Sequence, residues 1–350
     1  MIANLRLQNF RSYSDETFEF SPTVNIVVGP NASGKTNLLE AILVLCRGGS
    51  YRAKDSELIA FDAPWARLDA LVNDEEARTV KLVEEPLPSK SFEFSGKVYK
   101  RLNMTHSIPA ILFEPNNLQL LHGSPEQRRG YLDELLEQQI SNYGTMRRNY
   151  RRVLAQRNAL LKRAKRPTNE ELFPWNLRLS ELGAYVARAR AQLAETINAS
   201  LGETYQKLST NKTAVTLTYS ARFPLDSYET QMLKKLEADL PLDVLRGFTA
   251  AGPHREDFVV LFDGREASET ASRGETRTLV LTLKILELEL VEQARGVQPV
   301  MLLDDVFSEL DGARRHALTD YLKTHQTFIT TTDADIALAN FGADCNVIPL

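Results

Sequence analysis

The sequence predicts an α/β fold: a domain built on a parallel sheet and interrupted by a mostly helical insertion. Three observations predict it. The 350-residue chain reads β/α, then helical, then β/α, and both outer parts supply elements that a parallel sheet needs. A glycine-bearing loop at 29–36 sits directly between an apolar run and a helical pattern. A second apolar run, 300–303, ends in two acids. At ~150 residues per domain the length suits two domains, or one domain with a large insertion. The expected organisation is a first α/β part at 1–123, a helical insertion at 124–245, and a returning α/β part at 246–350.

The elements follow in order. Residues 2–10 alternate imperfectly, 24–28 form a compact apolar run, and 67–72, 79–83 and 98–102 are short strands separated by charged or proline-containing turns. One helix, 35–45, interrupts them. From Ser124 strands disappear, and a polar, arginine-rich stretch runs to Leu208, broken mainly at 167–174, which predicts two or three helices. Leu172, Trp175, Leu179, Leu182, Tyr185, Val186, Ala189 and Leu193 keep three-to-four spacing and make one of these amphipathic. Strand character returns at 215–219 and 258–262. A helix at 273–293, a buried strand at 300–303, a helix at 313–323 and a strand at 327–331 complete the chain.

Composition narrows the function classes. With 43% hydrophobic and 25% charged residues, the chain is neither disordered nor fibrous. Cys46 and Cys345 are far apart, with no CxxC and no histidine at ligand spacing, which argues against a disulfide framework or zinc site and for the reducing cytoplasm. The first fourteen residues contain Arg6, Asn9 and Arg11 and no continuous apolar core, and no later stretch approaches ~18 apolar residues, so neither export nor a membrane span is expected. A net charge of −4 argues against a uniformly basic nucleic-acid binder but leaves room for a local basic face.

The loop Gly29-Pro30-Asn31-Ala32-Ser33-Gly34-Lys35-Thr36 matches GxxxxGK[ST] at every fixed position, after a strand and before a helix. Backbone N–H groups of such a loop converge on phosphate oxygens, and the helix N-terminus adds partial positive charge. Lys35 would reach the outer phosphates, and Thr36 would ligate Mg²⁺. Such a loop needs a second Mg²⁺ contact at a strand end. Asp304 supplies it, and Asp305 stands where a carboxylate could orient or deprotonate the attacking water.

Two further segments set the class. Ser272-Arg273-Gly274-Glu275 opens a helix before the acidic strand, and Ser308-Glu309-Leu310-Asp311 follows that strand. The order resembles ABC-type ATPases, with Walker A, signature, Walker B and D-loop. Within that class the chain is similar, almost end to end, to the RecF family of bacterial recombination mediators. The residues that carry the likeness are Leu7-Gln8-Asn9-Phe10-Arg11-Ser12-Tyr13, Asn37-Leu38-Leu39-Glu40-Ala41-Ile42 after the P-loop, and Ser50-Tyr51-Arg52. Gly123-Ser124-Pro125-Glu126-Gln127-Arg128-Arg129, Arg157-Asn158-Ala159-Leu160-Leu161, Gly252-Pro253-His254-Arg255-Glu256-Asp257 and Leu303-Asp304-Asp305-Val306-Phe307 carry the rest.

The resemblance implies an ABC-type ATPase head with a helical arm, ATP and Mg²⁺ as cofactors, and an ATP-dependent homodimer in which Ser272 and Gly274 contact the γ-phosphate held by the other subunit. It implies action at single-strand gaps and ds/ssDNA junctions, helping place RecA on DNA with RecR and RecO. Departures are expected to matter. Ala32 stands where the family usually has a second glycine and does not easily reach φ > 0, so an altered loop is expected. Glu275 near a γ-phosphate is repulsive unless it pairs with Arg273 or Arg277. Thr330-Thr331-Thr332 stands where transport ATPases carry a histidine, which argues against that class.

Between Arg147 and Arg166 the chain carries nine cations and no acid. Such a stretch is either a solvated helix face or a track for the phosphate backbone of duplex DNA, without a base code, with Arg148, Arg151 and Arg152 as contacts. Arg52 and Lys54, just after the P-loop helix, are second candidates.

Overall fold

The computed structural model describes residues 1–73, 75–84, 86–163, 165–209, 213–307, 310–333, 341 and 345–350. The chain divides into two compact units, residues 1–118 with 287–350, and residues 119–286.

In the first unit, among the described residues, five parallel strands form one sheet in the order Cys345–Pro349, Val24–Val28, Thr327–Thr331, Val300–Asp304, Ala110–Phe113. Strands Val24–Val28, Val300–Asp304 and Thr327–Thr331 are almost wholly buried, which is why they read as continuous apolar or threonine-rich runs rather than alternating ones. A second, antiparallel sheet runs in the order Tyr13–Glu19, Ile2–Phe10, Trp65–Val72, Glu76–Val83, Ser89–Phe94, Lys97–Tyr99. Its strands alternate, with Ala66, Leu68, Val80 and Leu82 turned inward and Arg67, Asp69 and Lys81 outward.

Helix Lys35–Arg47 packs against strands of both sheets. Leu38, Leu39, Ala41, Ile42, Val44, Leu45 and Cys46 are fully buried, and they share one core with Leu5, Leu68 and Val80 of the antiparallel sheet and Val27, Leu302 and Phe328 of the parallel one. A helix apolar around most of its circumference needs such a two-sided enclosure. The consequence for function is positional. The loop before this helix leaves the carboxyl end of Val24–Val28, beside the carboxyl ends of Thr327–Thr331 and Val300–Asp304, where open parallel sheets bind ligands.

The second unit is mainly helical: Pro125–Gln139, Tyr143–Leu161, Asn169–Leu208, Tyr228–Ala238 and Leu240–Arg246. Ser124 and Thr168 each cap a helix in a reciprocal box with Gln127 and Glu171. The chain break anticipated at 167–174 is only partial, because helix Asn169–Leu208 starts at the Thr168 cap and runs through Pro174, tolerating the one backbone N–H that the proline lacks. This unit also holds a three-stranded antiparallel sheet, Arg265–Glu266, Asp257–Phe262, Val215–Ser220. Pairing of Asp257–Phe262 with Val215–Ser220 draws residues 246–286 into the same unit as the insertion expected at 124–245. Among the described residues no helix is long and apolar enough to cross a membrane.

Candidate functional site

The loop Gly29 to Thr36 is shaped by two residues with positive φ. Gly34 precedes the helix at φ +106, where a Cβ would come within 2.8 Å of Tyr13 Oη, so both backbone and space exclude a side chain. Ala32 has φ 66. The alanine thus takes a left-handed conformation that favours glycine, at a cost of ~1 kcal/mol. Tyr13 Oη donates to Gly34 O at 3.0 Å and pins the end of the loop to the antiparallel sheet, and burial raises the pKa of that phenol. Lys35 Nζ folds back over the loop, donating to Gly29 O at 2.7 Å and Pro30 O at 2.8 Å. Asn31 is exposed, and Ser33 N donates to Pro30 O at 3.3 Å. Helix-terminal amides with an adjacent ammonium form an anion cradle.

The register of the parallel sheet sets Asp304 opposite Thr330. Asp304 Oδ1 accepts the Thr36 hydroxyl at 3.0 Å and the Thr330 hydroxyl at 2.8 Å, while Tyr51 Oη donates to Oδ2 at 3.4 Å. Thr36 and Asp304, 268 positions apart, are thus brought together, at one end of the P-loop. A hydroxyl beside a carboxylate, at the end of a phosphate-binding loop, suits Mg²⁺, which takes one or two protein oxygens and keeps waters. Asp305 follows with φ 53, a conformation that Asp tolerates, and its amide donates to Thr330 Oγ1 at 2.9 Å. Sequence reasoning marks neither Thr330 nor Tyr51 for a role at this site. Tyr51 lies within a segment that carries the family resemblance, and Thr330 stands out in sequence only as a place without histidine.

Glu40, fully buried one turn into the helix, accepts from Arg11 at 2.9 and 3.0 Å and from Arg52 at 2.9 Å. Burial alone would raise its pKa, but the bonds from Arg11, Arg52 and Ser50 outweigh burial and hold the carboxyl below the usual range. Arg52 also donates to Asn37 Oδ1 at 2.8 Å. The Arg52 guanidinium is thus tied to the P-loop helix although the residue is exposed, as Lys54 is.

In the second unit, Ser272 opens helix Arg273–Arg295. Its hydroxyl and amide donate to Glu275 Oε2 at 2.7 and 2.8 Å, and Glu275 N donates back to Ser272 Oγ at 3.3 Å. Glu275 is thus engaged by the serine itself in a capping box. Gly274 O accepts the Thr278 hydroxyl at 3.0 Å. Ser308 and Glu309 lie outside the described residues, while Asp311 caps helix Gly312–Leu322 through Arg314 N.

The arginine stretch divides. On helix Tyr143–Leu161, Arg148, Arg151 and Arg152 are exposed, the Arg148 guanidinium donating to Thr145 Oγ1. Arg147 pairs with Asp133 and Glu137. Arg157 is 0% exposed, bound to Asp243 at 2.8 Å, Asn176 at 2.7 Å and Thr249 at 2.7 Å. As a member of the expected phosphate track, Arg157 is corrected: it is a core residue, because its acid partner lies 86 positions away. Arg128 likewise grips Asp257 with Nε and Nη2, and Arg129 donates to Glu256 O.

These are the segments by which the chain resembles a family, and the likeness holds across the whole chain. The RecF/RecN/SMC N-terminal domain family matches residues 1–340. The chain is 36% identical over 342 residues to the DNA replication and repair protein RecF of Heliobacterium modesticaldum, covering 95% of this chain and 92% of that protein. The chain belongs to the RecF family. A second RecF, from Moorella thermoacetica, is 34% identical over 96% of this chain and 90% of its own length. Solved structures of the recombination mediator protein RecF with ATPrS and with ATP, described within the RecFOR pathway, superpose with TM-scores of 0.88 and 0.86 at 28% and 30% identity. They cover 100% and 95% of this chain, and 96% and 92% of those chains. An Smc head bound to the C-terminal winged-helix domain of ScpA, 17% identical with a TM-score of 0.55, covers 97% of this chain and 91% of that one and shares the fold. The RecF fold is therefore the expected α/β ABC-type ATPase head fold.

Proposed function

We propose that this protein is an ATP-dependent, sequence-nonspecific DNA-binding protein of single-strand gap repair, which helps load RecA at ds/ssDNA junctions together with RecR and RecO. The observation that carries the nucleotide part is the 3.0 Å contact of Thr36 Oγ1 with Asp304 Oδ1 at the end of a loop capped by Lys35. RecF structures with ATP and ATPrS support ATP as the ligand.

In this reading the amides from Gly29 to Thr36, with Asn31 and Ser33 in the loop, receive the phosphates. Lys35 exchanges its carbonyl partners, at 2.7 and 2.8 Å, for phosphate oxygens. Thr36 and Asp304 would hold Mg²⁺, which when bound neutralises charge on the phosphates. Asp305 accepts a proton from, or orients, the attacking water. Ser272 and Gly274 complete the site of a second copy of the chain, so ATP binding and dimerisation are linked. Hydrolysis is slow and DNA-stimulated. Duplex DNA is held through its backbone by Arg148, Arg151 and Arg152, with Arg52 and Lys54 as additional contacts. Of these, the exposure of Arg151 and Arg152 favours the helix and the engagement of Arg52 by Glu40 disfavours that residue.

Calorimetric titration with ATP tests the nucleotide site. Lys35→Ala is expected to abolish binding and Asp305→Asn to retain it while slowing turnover. Equal ATP affinity in Lys35→Ala and wild type contradicts the assignment.

A further inference from the structure

We propose that Thr330 is a positioning residue for ATP hydrolysis, setting both the Asp304 carboxylate and the backbone at Asp305 through a single hydroxyl. The inference rests on the nucleotide site proposed above and adds a residue that neither the P-loop nor the acidic strand contains.

Thr330 is 0% exposed in strand Thr327–Thr331 and lies opposite Asp304 in the parallel register. A hydroxyl offers one proton and two lone pairs. The Asp305 amide, 2.9 Å away, takes a lone pair. The proton then has two acceptors in reach, Asp304 Oδ1 at 2.8 Å and Leu303 O at 3.4 Å. The carboxylate is nearer, and its charge strengthens the bond. One side chain thus fixes the rotation of Asp304 and the turn at Asp305, whose φ of 53 needs such a restraint.

Two other hydroxyls touch Asp304, and they differ from Thr330 in where they sit. Thr36 belongs to the P-loop helix, and Tyr51 follows that helix. Both are on the side from which the substrate's phosphates arrive. A Thr36 hydroxyl that gives a lone pair to a cation can keep its proton on Asp304, but its oxygen is then committed as a ligand. Thr330 is anchored in the sheet, ligates nothing itself and serves Asp304 only as a partner. A ligand's partner of this kind orients it and tunes its hold on the metal.

Thr330→Val keeps the β-branched shape and removes the hydroxyl, whereas Thr330→Ser keeps the hydroxyl. Two quantities are read: the Mg²⁺ concentration that half-saturates ATP binding, by calorimetry, and the steady-state kcat and KM. Thr330→Val is expected to raise that Mg²⁺ concentration about tenfold and to lower kcat by roughly tenfold to a hundredfold, with KM at saturating Mg²⁺ little changed. Thr330→Ser is expected to restore both to near wild type. Wild-type Mg²⁺ dependence and kcat in folded Thr330→Val overturn the proposal, as does a Thr330→Ser as impaired as the valine variant. Should Thr330→Val fail to fold by circular dichroism, Thr330→Ala is read in its place against the same outcomes. Lys35→Ala, run alongside, separates the two ideas. If it still binds ATP, the nucleotide site is wrong; if it does not and Thr330→Val behaves as wild type, only the role of Thr330 is wrong.

Discussion

At the scale of single residues, the P-loop carries its own strain. Ala32 sits at φ 66, where an L-residue other than glycine pays ~1 kcal/mol. Ala32→Gly is expected to raise stability, by ~1 kcal/mol at most because glycine also loses more backbone entropy on folding. Urea unfolding checks this, and ATP affinity is expected to stay within about threefold, since the backbone shape is unchanged. The loop is legible in sequence because its fixed positions are local. The conformation of Ala32 is not, because tertiary contacts around the loop, including Tyr13 Oη on Gly34 O, decide it. His254 gives a second residue-scale prediction. Burial lowers its pKa from 6.5 to about 4, and its ring meets Tyr150 Oη through Nδ1 at 2.6 Å and Thr249 O through Nε2 at 3.0 Å. Below pH 6.5 the unfolded chain takes up a proton that the folded ring refuses until about pH 4. The stability from this group is complete above pH 6.5 and falls as pH drops toward 4. Urea midpoints from pH 7.5 to 4.5 are expected to decline less steeply in His254→Gln than in wild type. Parallel declines contradict the buried neutral histidine.

At the scale of elements, helix Tyr143–Leu161 separates two jobs that its sequence merges. A run of cations without an acid reads as one solvated or DNA-facing stripe, yet Arg157 is wholly buried on Asp243 and Arg147 is drawn to Asp133. Sequence could not reveal this, since both acids come from other helices. Arg157→Met leaves Asp243 buried without its cation and is expected to destabilise the protein by ~3–5 kcal/mol. Joint neutralisation of Arg148, Arg151 and Arg152 is expected to leave the melting temperature nearly unchanged. It should lower the slope of log DNA affinity against log salt by about 0.9 for each phosphate no longer neutralised. A wild-type slope in that triple variant makes the exposed arginines a solvated face. The same holds for Arg128 with Asp257 and for Asn158 with Thr249, whose partners are also distant in sequence. Segments that carry the family likeness in this unit tie its elements to one another. Short strands such as Ser89–Phe94, Ala110–Phe113 and Cys345–Pro349 are not legible in sequence, because their pairing partners, rather than their own periodicity, make them strands.

At the scale of the whole molecule, the proposed function couples ATP to association and association to DNA. If Ser272 and Gly274 complete the site of a second copy, the protein is mainly monomeric without ATP and dimeric with it. Light scattering in the Asp305→Asn background is expected to register that doubling of mass, and Ser272→Arg to abolish it while leaving ATP affinity nearly intact. An ATP dimer offers two sets of arginines to one DNA backbone, so the second engagement is effectively intramolecular and DNA must in turn tighten ATP binding by the same factor. The most direct measurement is therefore a titration of duplex, single-stranded and gapped DNA with and without ATP, at one fixed salt concentration. The predicted result is binding to duplex and gapped DNA that ATP strengthens at least tenfold, an effect abolished in Lys35→Ala. DNA affinity that is the same with and without ATP on all three substrates would contradict this coupling.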